Sequence, residues 1–176
     1  MARLTATQIR DAFAALAGEL RRAGARAEIA VAGGAALVLL YGARESTKDV
    51  DAITIDASPE GAVRVASRAV AGALGLPGDW LNDAAKGYVH GLAWGELLFE
   101  SETLIVRALA PHQLLAMKLS AWRDDVDIED ARLLLRSLVN DREAAWSSIE
   151  PHLVPGRELK ARYAFEDLWE AEHGSP

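Results

Sequence analysis

The chain contains no cysteine, which excludes disulfides, thiolate metal sites and a cysteine nucleophile. Aromatic residues make up only 6% of it. Its four histidines, His90, His112, His152 and His173, are scattered without ligand spacing, so a His-built metal centre is not expected. The longest apolar run, Ile29 to Tyr41, is thirteen residues with two glycines inside it, whereas a bilayer span needs about 20. Met1-Ala2-Arg3-Leu4-Thr5 lacks the apolar core of a signal peptide. These absences predict a cytoplasmic protein with no membrane partner. Basic residues are also in deficit, 19 against 26 acidic for a net charge of −7, which argues against a uniformly basic nucleic-acid binder.

What is present is alanine, 34 of 176 residues, together with leucine, a composition that favours helices. The length suits one compact domain, or one domain with a helical appendage. Charge is uneven. Residues 1–48 carry a net +3, residues 49–176 a net −10, and the acidity starts abruptly at Asp49. Five acids crowd the stretch from Asp124 to Asp130.

Periodicity predicts an α+β chain. Thr5 with Gln8 reads as a capping box, and Ile9, Phe13, Leu16 and Leu20 follow at helical spacing over about residues 6–24. Glu28 to Ala32 reads as a strand, Ala35 to Tyr41 as a buried helix, 42–48 as a polar loop, and Asp49 to Asp56 as a strand. Ser58-Pro59-Glu60 resembles a helix start. Asp79 is expected to cap one helical turn over 80–85, with Trp80 in the core. Leu97–Glu100 and Thr103–Leu109 suggest a hairpin. From Pro111 onward four helices are expected, near 111–122, 126–139, 141–150 and 155–171. Trp146, Tyr163, Phe165 and Trp169 are expected to pack them, and the acids of 166–172 to form a solvated face. The boundary is placed between an α/β core of residues 1–110 and a helical subdomain of 111–176.

Chemistry concentrates between Val31 and Asp51. Asp49 and Asp51 sit two apart on the expected strand, where alternate side chains share a face, and paired carboxylates suit hard cations such as Mg²⁺. Gly33-Gly34 breaks from strand to helix. Glycine lets backbone approach a ligand closely, and the next helix offers unpaired N–H groups to phosphate. Arg44 and Lys48 lie between these elements, able to offset phosphate charge. Further on, Lys118 falls on the apolar side of its helix, where it either snorkels along the core edge or contacts phosphate. Asp127 and Asp130 share a helix face, as favourable acids near a helix start or as a salt-bridge partner for Arg123.

Taken together, Ala32-Gly33-Gly34-Ala35-Ala36, Arg44-x-x-Thr47-Lys48-Asp49-Val50-Asp51, Asp79-Trp80-Leu81-Asn82-Asp83, and Leu114-Leu115-Ala116-Met117-Lys118-Leu119 followed by Arg123 and Asp127-x-x-Asp130 resemble the polymerase-β-type nucleotidyltransferases. The similarity is to bacterial nucleotidyltransferase-like domains related to the AbiEii/MenT toxin group. The resemblance implies a small mixed sheet, one or two Mg²⁺ ions held by Asp49 and Asp51, and an NTP donor. It also implies a phosphate cradle from Gly33, Gly34, Arg44, Thr47 and Lys48, with Lys118 completing the catalytic set and Asp127 and Asp130 as a second acidic element that pairs Lys118 or positions the acceptor hydroxyl. The expected acceptor is a tRNA, a protein or a small molecule, in a toxin–antitoxin or phage-defence setting with a cognate partner protein. A homodimer through the last helix is a further expectation. The family's third carboxylate would fall to Glu100 or Glu102, with Glu100 as the choice for metal. The family usually has Ser after the first glycine or two; here Ala35 and Ala36 follow. The alternative is therefore a catalytically degenerate nucleotide-binding or protein-interaction module.

Overall fold

The structure is a computed structural model that describes residues 3–123 and 125–174. It is α+β, and its main sheet has five strands in a mixed arrangement. The chain divides into two compact units, Met1–Lys86 with Gly95–Ala108, and Gly87–Trp94 with Leu109–Pro176. Residues 87–94, expected within the core of 1–110, thus group with the helical unit.

In the first unit the chain order is β1 (Leu4–Thr5), α1 (Ala6–Arg22), β2 (Arg26–Val31), α2 (Gly33–Tyr41), β3 (Ser46–Thr47), β4 (Val50–Ser58), α3 (Ala62–Leu74) and β5 (Leu81–Asn82), and later β6 (Trp94–Glu100) and β7 (Leu104–Leu109). α1 begins as its capping box predicts: Thr5 Oγ1 accepts from the Gln8 N–H, and Gln8 Oε1 accepts from the Thr5 N–H. Its apolar stripe, Ile9, Phe13, Leu16 and Leu20, is buried. The sheet order is β5-β4-β2-β7-β6, with β2 antiparallel to β4 and parallel to β7. Two-residue β1 and β3 pair separately, Leu4 with Thr47 and Thr5 with Ser46.

Local signals misplaced two elements. Ser58 does not cap α3; it stays in β4, opposite Arg26 of β2, and α3 starts after Gly61. The ladder with β2 outlasts the local cap signal. The turn expected over 80–85 is instead strand β5, paired with Val50 and Asp51, followed by a 3₁₀ turn over Ala84–Tyr88. Trp80 is fully buried as expected; its indole N–H donates to the Ser67 carbonyl at 3.0 Å, and its carbonyl accepts from the Val50 N–H at 2.7 Å.

The second unit holds α4 (Pro111–Ala121), α5 (Asp125–Arg136), α6 (Arg142–Ile149) and α7 (Glu158–His173). Gln113, fully buried, ties the 87–94 segment down: its Oε1 accepts from Ala93 N–H at 2.7 Å, and its Nε2 donates to the Gly91 carbonyl at 2.8 Å. Phe165 packs between Trp146 and Trp169, with ring centroids 5.2 and 5.8 Å away. Tyr163, expected among them, points outward and is 63% exposed. The acids of α7 are partly paired: Glu166 with Arg142 and Arg162, Glu172 with Arg136 and Arg132. No helix among the described residues is long and apolar enough to cross a membrane.

Candidate functional site

The Val31–Asp51 stretch folds back on itself at one corner of the first unit. β2 and β4 are antiparallel, so the end of β2 meets the start of β4, and the Ala32 N–H donates to the Asp51 carbonyl at 2.8 Å. The chain then turns through Gly33, at φ +60°, into α2. A Cβ at Gly33 would lie 2.9 Å from Asp51 Oδ2. A Cβ at Gly34 would lie 2.8 Å from Thr47 Oγ1 and 3.5 Å from an Arg44 guanidinium nitrogen. Both glycines are therefore demanded by the approach of the backbone to Asp51, Thr47 and Arg44, and Gly33 also by its left-handed backbone.

α2 has no side-chain cap on its first turn, since Ala32 stands at the N-cap. Helix N-termini leave several N–H groups without intrahelical partners and carry the positive end of the helix dipole. Thr47 is buried and Arg44 and Asp51 are half-buried. Lys48 is exposed. Asp49, expected on the strand, lies in the loop one residue ahead of β4 and is half-buried.

Glu100 does not join this corner. It ends β6, and the hairpin closes through the Ser101 N–H to the Leu104 carbonyl, 2.9 Å. Leu104 is level with Ala27, and Ala27 with Ala57. Asp51 lies six residues back along β4, about 20 Å away at the rise of a strand. Glu102, in the same hairpin turn, is equally remote. The face Asp51 shares with Ile53 carries, in register through Ala30, Arg107 of β7, whose guanidinium lies 3.6 Å from Glu28. Among the described residues no cluster of three or more acidic or histidine side chains forms a metal-binding group. Within the second unit the His112 and His152 rings lie 5.2 Å apart, and His152 Nδ1 lies 2.9 Å from the His90 carbonyl oxygen.

Lys118, Asp127 and Asp130 form a cluster in the second unit. α4 ends in a left-handed turn at Trp122, φ 39°, which sends α5 back along α4. Lys118 Nζ sits 2.7 Å from Asp127 Oδ1 and 2.7 Å from Asp130 Oδ2. Arg123 adds its Nε at 3.0 Å and its backbone N–H at 3.2 Å to Asp127 Oδ2. Asp124 lies outside the described residues. Both carboxylates are almost fully buried. Burial opposes the charge on Asp127, but the hydrogen bonds from Arg123 and Lys118 and the Lys118 charge outweigh it, and the carboxyl is held below its usual range. Such a depressed value stabilises the fold above the unfolded carboxylate pKa of about 3.9 and is lost as pH falls through the folded value. The stability gap between wild type and Asp127→Asn, read from urea midpoints, is therefore expected to be constant near neutrality and to close below about pH 4. A gap independent of pH down to acid unfolding contradicts this role for Asp127.

Gly33→Ala places an L-residue in the left-handed region, at roughly 1–2 kcal/mol, and drives a methyl into Asp51. The expected fall in Tm is roughly 3–8 °C. Gly18→Ala, inside α1 with nothing within 4 Å of the new methyl, is expected to raise Tm instead. Equal effects of the two substitutions in a thermal melt contradict the close approach at Gly33. Comparison of the chain with protein families, with curated proteins and with solved structures gave no match.

Proposed function

We propose that the first unit is a nucleotidyltransferase-type core that binds an NTP with Mg²⁺ at the Gly33–Asp51 corner. The observation that carries this reading is the approach of the Gly33-Gly34 backbone to Asp51 and Thr47. A strand-to-helix turn without side chains, an uncapped helix start and the Asp51 carboxylate meet there. The side-chain oxygens of Asp49, Asp51 and Thr47 are hard donors that suit Mg²⁺, which commonly takes one or two carboxylates and fills its shell with water and substrate phosphates. One ion fits this set; the second, expected from the resemblance, lacks a third acid among the described residues. Bound there, Mg²⁺ would supply neutralisation of phosphate charge. The N–H groups at the start of α2 donate to the phosphates, and Arg44 and Lys48 balance the remaining charge. In this reading Lys118, Asp127 and Asp130 are a structural ion cluster of the second unit, and the acceptor is an RNA, a protein or a small molecule.

The distance of Glu100 from Asp51 favours a second reading, a nucleotide-binding module without transfer, acting as an antitoxin or a regulatory subunit. Incubation with each labelled NTP, Mg²⁺ and a tRNA or protein pool separates the two. Label transfer that Asp49→Ala and Asp51→Ala abolish supports the enzyme. Nucleotide binding without transfer supports the module.

A further inference from the structure

A second feature of the first unit begins one residue beyond Asp51 on β4 and does not depend on the nucleotide reading. β4 is nine residues long, yet β5 pairs only with Val50 and Asp51. From Ala52 to Ser58 the strand has β2 on one side and no described strand on the other. The Asp51 carbonyl faces β2, through Ala32, and the Val50 N–H faces the opposite way, to Trp80. Backbone groups alternate along a strand, so those of Ala52 and Thr54 turn to the open side. Natural sheet edges are commonly shielded by lysine, proline or a covering element. This edge has neither residue, and Ile53-Thr54-Ile55 at its centre are all β-branched.

Beside the edge runs an open groove of about 700 Å³. Ile29 and Ala52 form its floor, and Arg64, Ser67 and Arg68 of α3 form a wall. Acids outnumber bases at both ends: Asp56 and Glu60 where β4 leads to α3, and Asp79 and Asp83 around β5 with Lys86 just beyond them. The segment Asp79-Trp80-Leu81-Asn82-Asp83, for which the nucleotide reading has no use, is thus one rim of this groove.

We propose that the edge takes an extended peptide as an added strand, with alternating apolar and acidic residues and a basic residue at each end. Ala52 and Thr54 share a face with Ile29 and Val31 by register. Residues of the incoming strand opposite them project on that face, towards the Arg64 and Arg68 wall. Alternate residues of a strand are about 6.7 Å apart. Arg64 and Arg68, four apart on α3, are separated by a rise of about 6 Å, so two acids match two guanidinium groups. The intervening residues lie beside Ile53 and Ile55 on the other face. The terminal acids of the groove favour positive ends. Backbone pairing supplies affinity and the alternation supplies selectivity. A second copy of β4 fits less well, because its open stretch carries Asp56 as its one charge.

The test uses the full chain and a fluorescent, acetylated and amidated heptapeptide, Lys-Val-Glu-Val-Glu-Val-Lys, followed by anisotropy. Saturable binding below about 1 mM is expected, with slowed amide exchange at Ala52 and Thr54. A version N-methylated at alternate residues should not bind. A charge-reversed version should bind at least about tenfold more weakly, and the exposed double variant Arg64→Glu/Arg68→Glu should invert that preference. Absence of saturable binding overturns the proposal, as does equal binding of the N-methylated peptide. A dimer in sedimentation that Thr54→Pro converts to monomer assigns the edge to a second copy and overturns it too.

Discussion

Lys118→Met is expected to destabilise the protein by about 3–5 kcal/mol, the usual cost of removing one partner from a buried ion pair. For a chain of this length that is a fall in Tm of roughly 6–20 °C. The size follows from the burial. The side chains of Asp127 and Asp130 are 3% and 4% exposed, and Lys118 reaches both at 2.7 Å. Without the ammonium group two buried carboxylates lose the charge that lies 2.7 Å from each, and the Arg123 side chain beside Asp127 is 65% exposed and so screened by water. Methionine keeps the volume, which separates the loss of charge from the loss of packing. The triple variant Lys118→Met/Asp127→Asn/Asp130→Asn should recover much of the stability, because it removes the buried negative charges as well. A single Lys118→Met variant that melts within about 2 °C of wild type would falsify the structural role of the cluster.

Asp51→Asn is expected to weaken binding of Mg²⁺-nucleotide by at least about 100-fold, the upper end of what loss of an outer-shell partner costs a metal site, since Asp51 is assigned as a direct ligand. The substitution keeps the shape of the side chain against Gly33, so the far-UV spectrum should be unchanged. Asp49→Asn should act in the same direction. Wild-type affinity in a folded Asp51→Asn variant removes the carboxylate pair from the proposed site.

Much of the fold was legible where the determining contacts are local. The Thr5–Gln8 box starts α1, and the alternation after Asp49 marks β4. The glycine pair was readable because strand, turn and helix are adjacent in sequence, and its approach to Asp51 follows from two antiparallel strands meeting at that turn. The pairing of Lys118 with Asp127 and Asp130 was one of several open readings; the left-handed turn at Trp122 selects it. What sequence could not supply was non-local. Ser58 looked like a cap because its neighbours are a proline and a glutamate, yet pairing with Arg26 holds it in a strand. Leu81-Asn82 became a strand only because Val50 and Asp51 present an edge to it. The resemblance asks for a third carboxylate and Glu100 is its candidate; strand order, which no local pattern encodes, sends that strand end away from Asp51. Two-residue β1 and β3 carry too little pattern to be seen at all.

Calorimetric titration of the wild-type chain with each of the four NTPs, with and without Mg²⁺, addresses the nucleotide site most directly. Saturable binding of at least one NTP that requires Mg²⁺ and disappears in Asp51→Asn is expected. No heat of binding from any NTP in the presence of Mg²⁺ would contradict it, whether the site is read as an enzyme or as a binding module.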